Sequence, residues 1–432
     1  MYSLLNILSS STKLHMHEYV NIEANIEANI GKNTFINKDG SYSTFFEVKG
    51  SATPMGSNEI NNAIHSLESS LRGSMKKKGF RIQFVFEKNA EKSHIDIDPN
   101  IKPIVKNLGR LGLGPIANIV KSRKDAIKDK VMFERCYMVI TTLTGVLSNK
   151  DLKDKTETRD NGLKEHGVGI KPGQFSQSSL AVIKDILNKH NAFANQVLKT
   201  IREYLFVDVL DCHSAVKCIA NQLSDHKQNK DWTPSLLGDP IRPRLVEDNP
   251  NPLDQSHVLN MDIGFQLFNK IPSISEFDNT AVKYGELFYK PLNMDMPPSS
   301  IRPFSELFSD IDDDIPWRMS VVIESGHNEI VKKITSKKTW ATLLAITSGV
   351  NKEIKKAAQE FMDLCDDDET LCSTKISFMT WGKSESQLSS RVSTLTESIQ
   401  GWGAGNVIEE IGDPIELWVN MLPGVSRNFI ST

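Results

Sequence analysis

Cysteine is scarce and unpatterned in this sequence: Cys136, Cys212, Cys218, Cys365 and Cys372, with no C-x-x-C pair. An odd, scattered set excludes a disulfide framework and a zinc ribbon, and fits reduced thiols in a cytoplasmic protein. No apolar run reaches the roughly 18 residues that a membrane-spanning helix needs. The opening MYSLLNILSSSTK has no basic stretch ahead of its short apolar patch, so it does not read as a secretory signal. Charge of one sign is also lacking. Lys and Arg number 51 against 54 Asp and Glu, for a net charge of −3, which predicts no direct contact with nucleic acid.

Catalytic signatures are missing as well. No H-E-x-x-H occurs, and His15, His17, His65, His166, His190, His213, His226, His257 and His327 are scattered. Gly109-Arg-Leu-Gly-Leu-Gly114 is followed by Pro115, which removes an amide donor, and not by the Lys of a phosphate loop. Trp381-Gly-Lys-Ser384 contains G-K-S between an expected strand and an expected helix. The glycine that should stand five residues before Gly382 is instead Ser377, inside the strand. Gly382 therefore reads as a turn and Ser384 as a helix N-cap. Phe206-Val-Asp208-Val-Leu-Asp211 resembles a Walker B strand end but has no Walker A to serve.

Cys212, His213 and Cys218 read as the face of a packed helix before they read as metal ligands. Asp310 with Asp312 to Asp314, and Asp366 to Asp368 with Glu369, lack the order of a calcium loop and read as solvated turns. The basic stretches Lys76 to Lys78 and 121–130 read as solvated helix faces, with phospholipid head groups or acidic partners as the alternative. No catalytic, cofactor-binding or metal residue is assigned.

What is present is a chain of 432 residues with 39% hydrophobic side chains, enough for two to four packed domains. Residues 1–30 form an N-terminal arm. Leu4, Leu5, Ile7 and Leu8 cluster there, and Ile22, Ile26 and Ile30 recur every four residues, which predicts one apolar face of a helix. The arm either packs on its own domain or docks on a partner or a membrane surface, and these seven residues are the candidate docking contacts.

Residues 31–175 give a first α+β lobe: strands at 42–48, 81–86 and 136–143, a helix at 57–77, and a polar exposed excursion at 148–175. The order strand, helix, strand suggests a βαβ unit. Residues 176–280 are a helical and then Pro/Asn-rich connection, with a helix near 178–205. Residues 281–432 form a second lobe: strands at 284–289, 317–324 and 375–381, one long helical stretch at 329–365, and a helix at 384–399. The expected class is α+β, two related lobes, each a mixed sheet covered by helices, with no P-loop domain in this chain. The related order lies in pattern and not in letters.

Two segments carry a family resemblance. Asn37 to Glu87 runs D-G-S, strand, V-K-G, helix, strand, and resembles the opening of the type IV secretion and conjugation ATPases (CagE/TrbE/TraC-like). The segment K-I-S-F-M-T-W, helix, G-x-G-x-G, then E-L-W-V-N-M-L-P-G looks like the stretch that precedes their motor domain. The long excursions resemble the Dot/Icm branch (DotO/IcmB-like or plasmid TraU-like).

The resemblance implies the N-terminal docking and oligomerisation module of a type IVB secretion ATPase, cytoplasmic and peripherally attached to the bacterial inner membrane. It would recruit the motor to the inner-membrane complex for substrate translocation. Implied partners are inner-membrane secretion subunits, a second protomer or hexamer of the same chain, and another secretion ATPase. ATP and Mg would belong only to a motor domain beyond Thr432, and this module would not itself be an enzyme. The alternatives are a complete enzyme with an unrecognised pocket, or a structural component without ATPase activity.

Overall fold

A computed structural model gives the fold and describes residues 19–28, 31–51, 54–128, 130–165, 183–223, 232–239, 262–268, 270–300, 302–344, 349–366 and 370–425. The first half of the chain builds β1 (Ile22–Ala28), β2 (Gly31–Asn37), β3 (Tyr42–Val48), α1 (Ser57–Met75), β4 (Phe80–Asn89), α2 (His94–Arg110), α3 (Gly114–Lys128), β5 (Phe133–Thr142), α4 (Asn149–Glu165), α5 (Lys184–Ile201), β6 (Val207–Val209) and α6 (Cys212–Asn221). The short α7 (Ile263–Leu267) leads into the second half. That half builds β7 (Ser273–Ile274), β8 (Val282–Tyr284), β9 (Leu287–Met296), α8 (Phe304–Asp310), β10 (Trp317–Ser325), α9 (His327–Leu344), α10 (Gly349–Asp366), β11 (Cys372–Gly382), α11 (Glu385–Gly401), β12 (Asn406–Glu409) and α12 (Pro414–Asn420).

The described strands join in one open sheet, in the order β1-β2-β3-β5-β4-β10-β11-β9-β8-β7, with β6 on β3 and β12 on β9. This order is a palindrome. Each half contributes two leading strands, a strand–helix–strand crossover, a helical hairpin, a third strand inserted between the first two, then helix, short edge strand and helix. The halves are related as expected, and α4 is the main addition in the first. Where mixed sheets were expected, the strand pairings among the described residues are all antiparallel. The reason is the insertion: β3 and β4 run in the same direction, but β5 returns between them and pairs with both. The two halves meet where β10 pairs with β4 from Trp317↔Lys88 to Glu324↔Arg81.

Both faces of the sheet are covered, which explains why the strands alternate poorly in sequence. On one face, Phe46, Phe80, Ile82, Met138 and Ile140 pack under Phe193, Val197 and Ile201 of α5. Trp317, Met319 and Phe378 continue that face under Leu307 of α8 and Leu395 and Ile399 of α11. The opposite face carries Phe45, Val139, Tyr289 and Met379 against α6, α7 and α12. Trp418 of α12 is fully buried there among Phe268, Tyr284 and Tyr289, with ring centroids 5.2–5.7 Å away. Burying a large side chain stabilises by about 1.5–3 kcal/mol, so these anchors fix the layers firmly.

Four expectations are corrected. The repeat NIEANIEANI is a strand over Ile22–Ala28 and not a helix. Asn is a poor helix former, and a spacing of four also returns to the same face of a strand. A bulge between Ile22 and Ala24 then breaks the stripe. Ile22 joins the core around Trp418, whereas Ala24 and Ile26 join the core around Ile36 and Tyr42.

Of the polar excursion expected at 148–175, the described part is helix α4, Asn149–Glu165, and 166–175 lie outside the described residues. Ser148 Oγ accepts from Asp151 N at 3.1 Å and caps it, and no proline interrupts it. The stretch 329–365 is two helices, α9 and α10, packed on each other. Finally, the strand expected at 284–289 is a hairpin, with β8 ending at Tyr284 and β9 starting at Leu287 and running on through Pro291. On the side away from β11, Tyr289 is the partner of β8 and Leu292 of β12, so Pro291 falls in the gap where no ladder donor is required.

Candidate functional site

Most residues singled out for chemistry resolve into structure. Ser384 is the N-cap of α11, its Oγ accepting from Gln387 N, and Lys383 N donates to Gln387 Oε1 at 2.8 Å. A Cβ on Gly382 would sit 2.9 Å from Leu388 N, so the strand turns directly onto the helix and leaves no loop for phosphates. Gly109 to Gly114 is the tip of the α2–α3 hairpin, where Gly112 takes φ +70°. Cys212 is buried and faces the Thr34 carbonyl, whereas His213 pairs with Asp239 at 2.8 Å. Among the described residues, no group of three or more His, Cys, Asp or Glu could hold a metal ion. Asp313 is held by Lys88 at 2.6 Å. Asp367, Asp368 and Glu369 lie outside the described residues.

Of the candidate docking contacts, Ile22 and Ile26 are buried in their own domain. Leu4, Leu5, Ile7, Leu8 and Ile30 lie outside the described residues.

The arrangement that stands out is the seam between the halves. On β4 the sequence reads R-I-Q-F-V-F-E from Arg81 to Glu87; on β10 it reads R-M-S-V-V-I-E from Arg318 to Glu324. Each strand thus carries Arg and Glu six residues apart on the face toward α6 and α12. Antiparallel pairing sets Arg81 opposite Glu324 and Arg318 opposite Glu87. Both pairs close at 2.8 Å. Arg318 and Glu87 are each 1% exposed, and Lys92 adds a second cation to Glu87 at 2.6 Å. Burial alone would raise the Glu87 carboxyl, but Lys92 and Arg318 overcome it and hold Glu87 below its ordinary value. Composition gave no hint of this site. The repeated R-x-x-x-V-x-E was the signal that could have revealed it.

Between the two ion pairs lies Gln83. Its Nε2 donates to Ser320 Oγ at 3.0 Å and to the carbonyls of Asn420 and Leu422 at 3.2 and 3.4 Å, while its Oε1 accepts from Gly424 N at 2.8 Å. The Leu422-Pro423-Gly424 segment is therefore clamped across the seam. Asn21 N donates to the Val425 carbonyl at 2.7 Å and holds its far end. Gly424 takes φ +65°, and a Cβ there would meet Phe45 at 2.4 Å, so only glycine fits. From the other half, the Gln222 carbonyl after α6 accepts from Arg318 Nη2 at 3.0 Å. The segments that follow α6 and α12 both end on the seam. Such a site holds chain segments in place and offers no group for covalent chemistry.

No family model matches this chain, and no curated protein matches it.

Proposed function

We propose that this chain is the N-terminal docking and oligomerisation module of a type IV secretion ATPase of the Dot/Icm kind. In this reading it is an adaptor that recruits the motor to the inner-membrane complex and hydrolyses no nucleotide itself. The supporting observation is the clamp on Leu422-Pro423-Gly424. Those residues carry the resemblance to the lead-in of the family's motor domain. Here they are fixed by Gln83 at the joint between the two halves, with Val425 tied to Asn21. A lead-in held this way would couple any rearrangement of one half against the other to whatever follows it. The expected partners are inner-membrane secretion subunits and further copies of the chain, and the protein would lie in the cytoplasm against the inner membrane. Leu4, Leu5, Ile7 and Leu8 would serve as docking contacts, since Ile22 and Ile26 are already spent on the core.

The test is affinity purification of the tagged protein from detergent-solubilised cells that carry a type IVB apparatus, beside a variant lacking residues 1–18. The reading expects inner-membrane subunits of the apparatus with the full chain and their loss with the variant. Absence of those subunits from the full-chain sample would refute it.

A further inference from the structure

The α2–α3 hairpin stands largely exposed. Its helices pack chiefly on each other and on the short turn at 90–92. It nevertheless carries six of the sixteen exposed large apolar side chains among the described residues: Ile104, Leu111, Leu113, Ile116, Ile119 and Ile127. Leu111, at the tip, is 71% exposed. On α3, Ile116, Ile119, Arg123 and Ile127 recur every three or four residues and so share one face. A soluble hairpin gains nothing by displaying such a face to water.

Toward the tip of the same hairpin the charge has one sign, and its acidic residues, Asp96, Asp98 and Asp125, lie toward the base. Residues 100–124 contain Lys102, Lys106, Arg110, Lys121, Arg123 and Lys124 and no acidic residue, in a chain whose net charge is −3. Asp98 at the base takes Lys102 and Lys124, each at 2.5 Å. Lys106, Arg110, Lys121 and Arg123 are exposed and form no ion pair among the described residues. Exposed aliphatic side chains flanked by unpaired cations on a short helical pair match the interface of an anionic bilayer, where the side chains enter the acyl boundary and the cations meet lipid phosphates. A second copy of the hairpin is a poor occupant, because its like charges would repel.

We infer that the α2–α3 hairpin binds anionic phospholipid surfaces directly, with Leu111 and Leu113 inserting and Lys106, Arg110, Lys121 and Arg123 contacting head groups. The inference goes beyond the adaptor reading and stands without it. Each cation near an anionic surface strengthens binding by about fivefold, an effect that salt screens.

The experiment is co-sedimentation of the 432-residue protein with vesicles of phosphatidylcholine, alone or with about 30% phosphatidylglycerol. Binding should be at least about tenfold tighter to the anionic vesicles and should fall steeply by about 0.5 M salt. L111S/L113S and K106Q/R110Q/K121Q/R123Q should each lose most of it. Unchanged melting curves would show that both variants fold, since every altered residue is exposed. K332Q/K333Q on the opposite hairpin should bind as the parent does. Equal binding to both vesicle types, no binding, or full binding by either hairpin variant would overturn the inference. No secretion subunit is present in this assay, so its failure leaves the adaptor reading untouched. Conversely, vesicle binding without co-purified subunits would sink that reading alone.

Discussion

Arg81 and Arg318 occupy equivalent places on neighbouring strands, and each reaches the glutamate that belongs to the other's repeat. The two bonds have the same length, 2.8 Å, but their surroundings differ. Arg318 and Glu87 are wholly enclosed, whereas Glu324 is about a quarter exposed. Removing Arg318 leaves the enclosed Glu87 with Lys92 as its remaining cation and takes away a buried hydrogen-bonded pair, so Arg318→Met should cost about 3 kcal/mol. Arg81→Met should cost about 1 kcal/mol, because water can solvate Glu324. Urea denaturation of both variants reads the difference.

The clamp makes its own prediction through Gly424. Ala at that position meets both a left-handed backbone and the Phe45 ring. Ala at Gly112 meets the same kind of backbone, φ +70°, with nothing within 4 Å. Gly112→Ala should therefore show only the backbone term, about 1–2 kcal/mol. Gly424→Ala should cost about 1–3 kcal/mol more, as Phe45 is forced from its site. Thermal melting of the two variants separates the contributions. Equal melting temperatures would mean that Leu422-Pro423-Gly424 is not held as tightly as its bonds imply.

Much of the fold was legible because its strands are rich in β-formers and several of its helices show helical spacing, whereas the helix His94–Arg110 was not read. Strand 42–48 and the helix from Ser57 follow directly from such patterns. The single sheet was not legible, because pairing between β4 and β10 spans more than 200 residues of chain and no local pattern reports it. The Ile22–Ala28 strand was missed for a different reason: a spacing of four suits helix and strand alike, so only the low helix propensity of Asn favoured the strand. Helix α4 was hidden by its polarity, since a helix without an apolar stripe has no period to detect. The seam residues looked like ordinary strand charges until their shared spacing met antiparallel pairing.

His190 should govern the stability of the fold in mild acid. It is fully buried, with Nε2 at 2.8 Å from Thr44 Oγ1 and Nδ1 at 3.1 Å from Thr142 Oγ1. One neutral imidazole satisfies both hydroxyls by donating from one nitrogen and accepting at the other. Burial pushes its pKa down to about 3. The unfolded chain binds a proton near pH 6.5 and the folded chain does not, so stability falls as pH drops below 6.5 and levels near 3. The slope is about 1.4 kcal/mol per pH unit, or about 2 kcal/mol between pH 6.5 and 5. Glu87, held below 4.5, acts in the same direction only further down the scale. Urea titrations at pH 7 and pH 5 should show the loss, and His190→Asn should flatten it.

The G-K-S sequence at Gly382 offers the sharpest test of the claim that nucleotide chemistry lies elsewhere. A phosphate loop needs several free amides in a wide turn, with Lys and Ser turned inward. Here Ser384 is occupied in capping α11 and the Lys383 amide is bound to the Gln387 side chain. The close approach of Gly382 to the Leu388 backbone shuts the space that phosphates would fill. Titration calorimetry with ATP and Mg should therefore show no heat of binding. Lys383→Ala, at an exposed position, should melt within about 0.5 kcal/mol of the parent, with nucleotide or without. Gly382→Ala should cost about 1–3 kcal/mol instead, because the turn is packed against the helix backbone. Micromolar ATP binding that disappears in Lys383→Ala would mean that the turn opens in solution to accept phosphate, and the adaptor reading would then lose its premise.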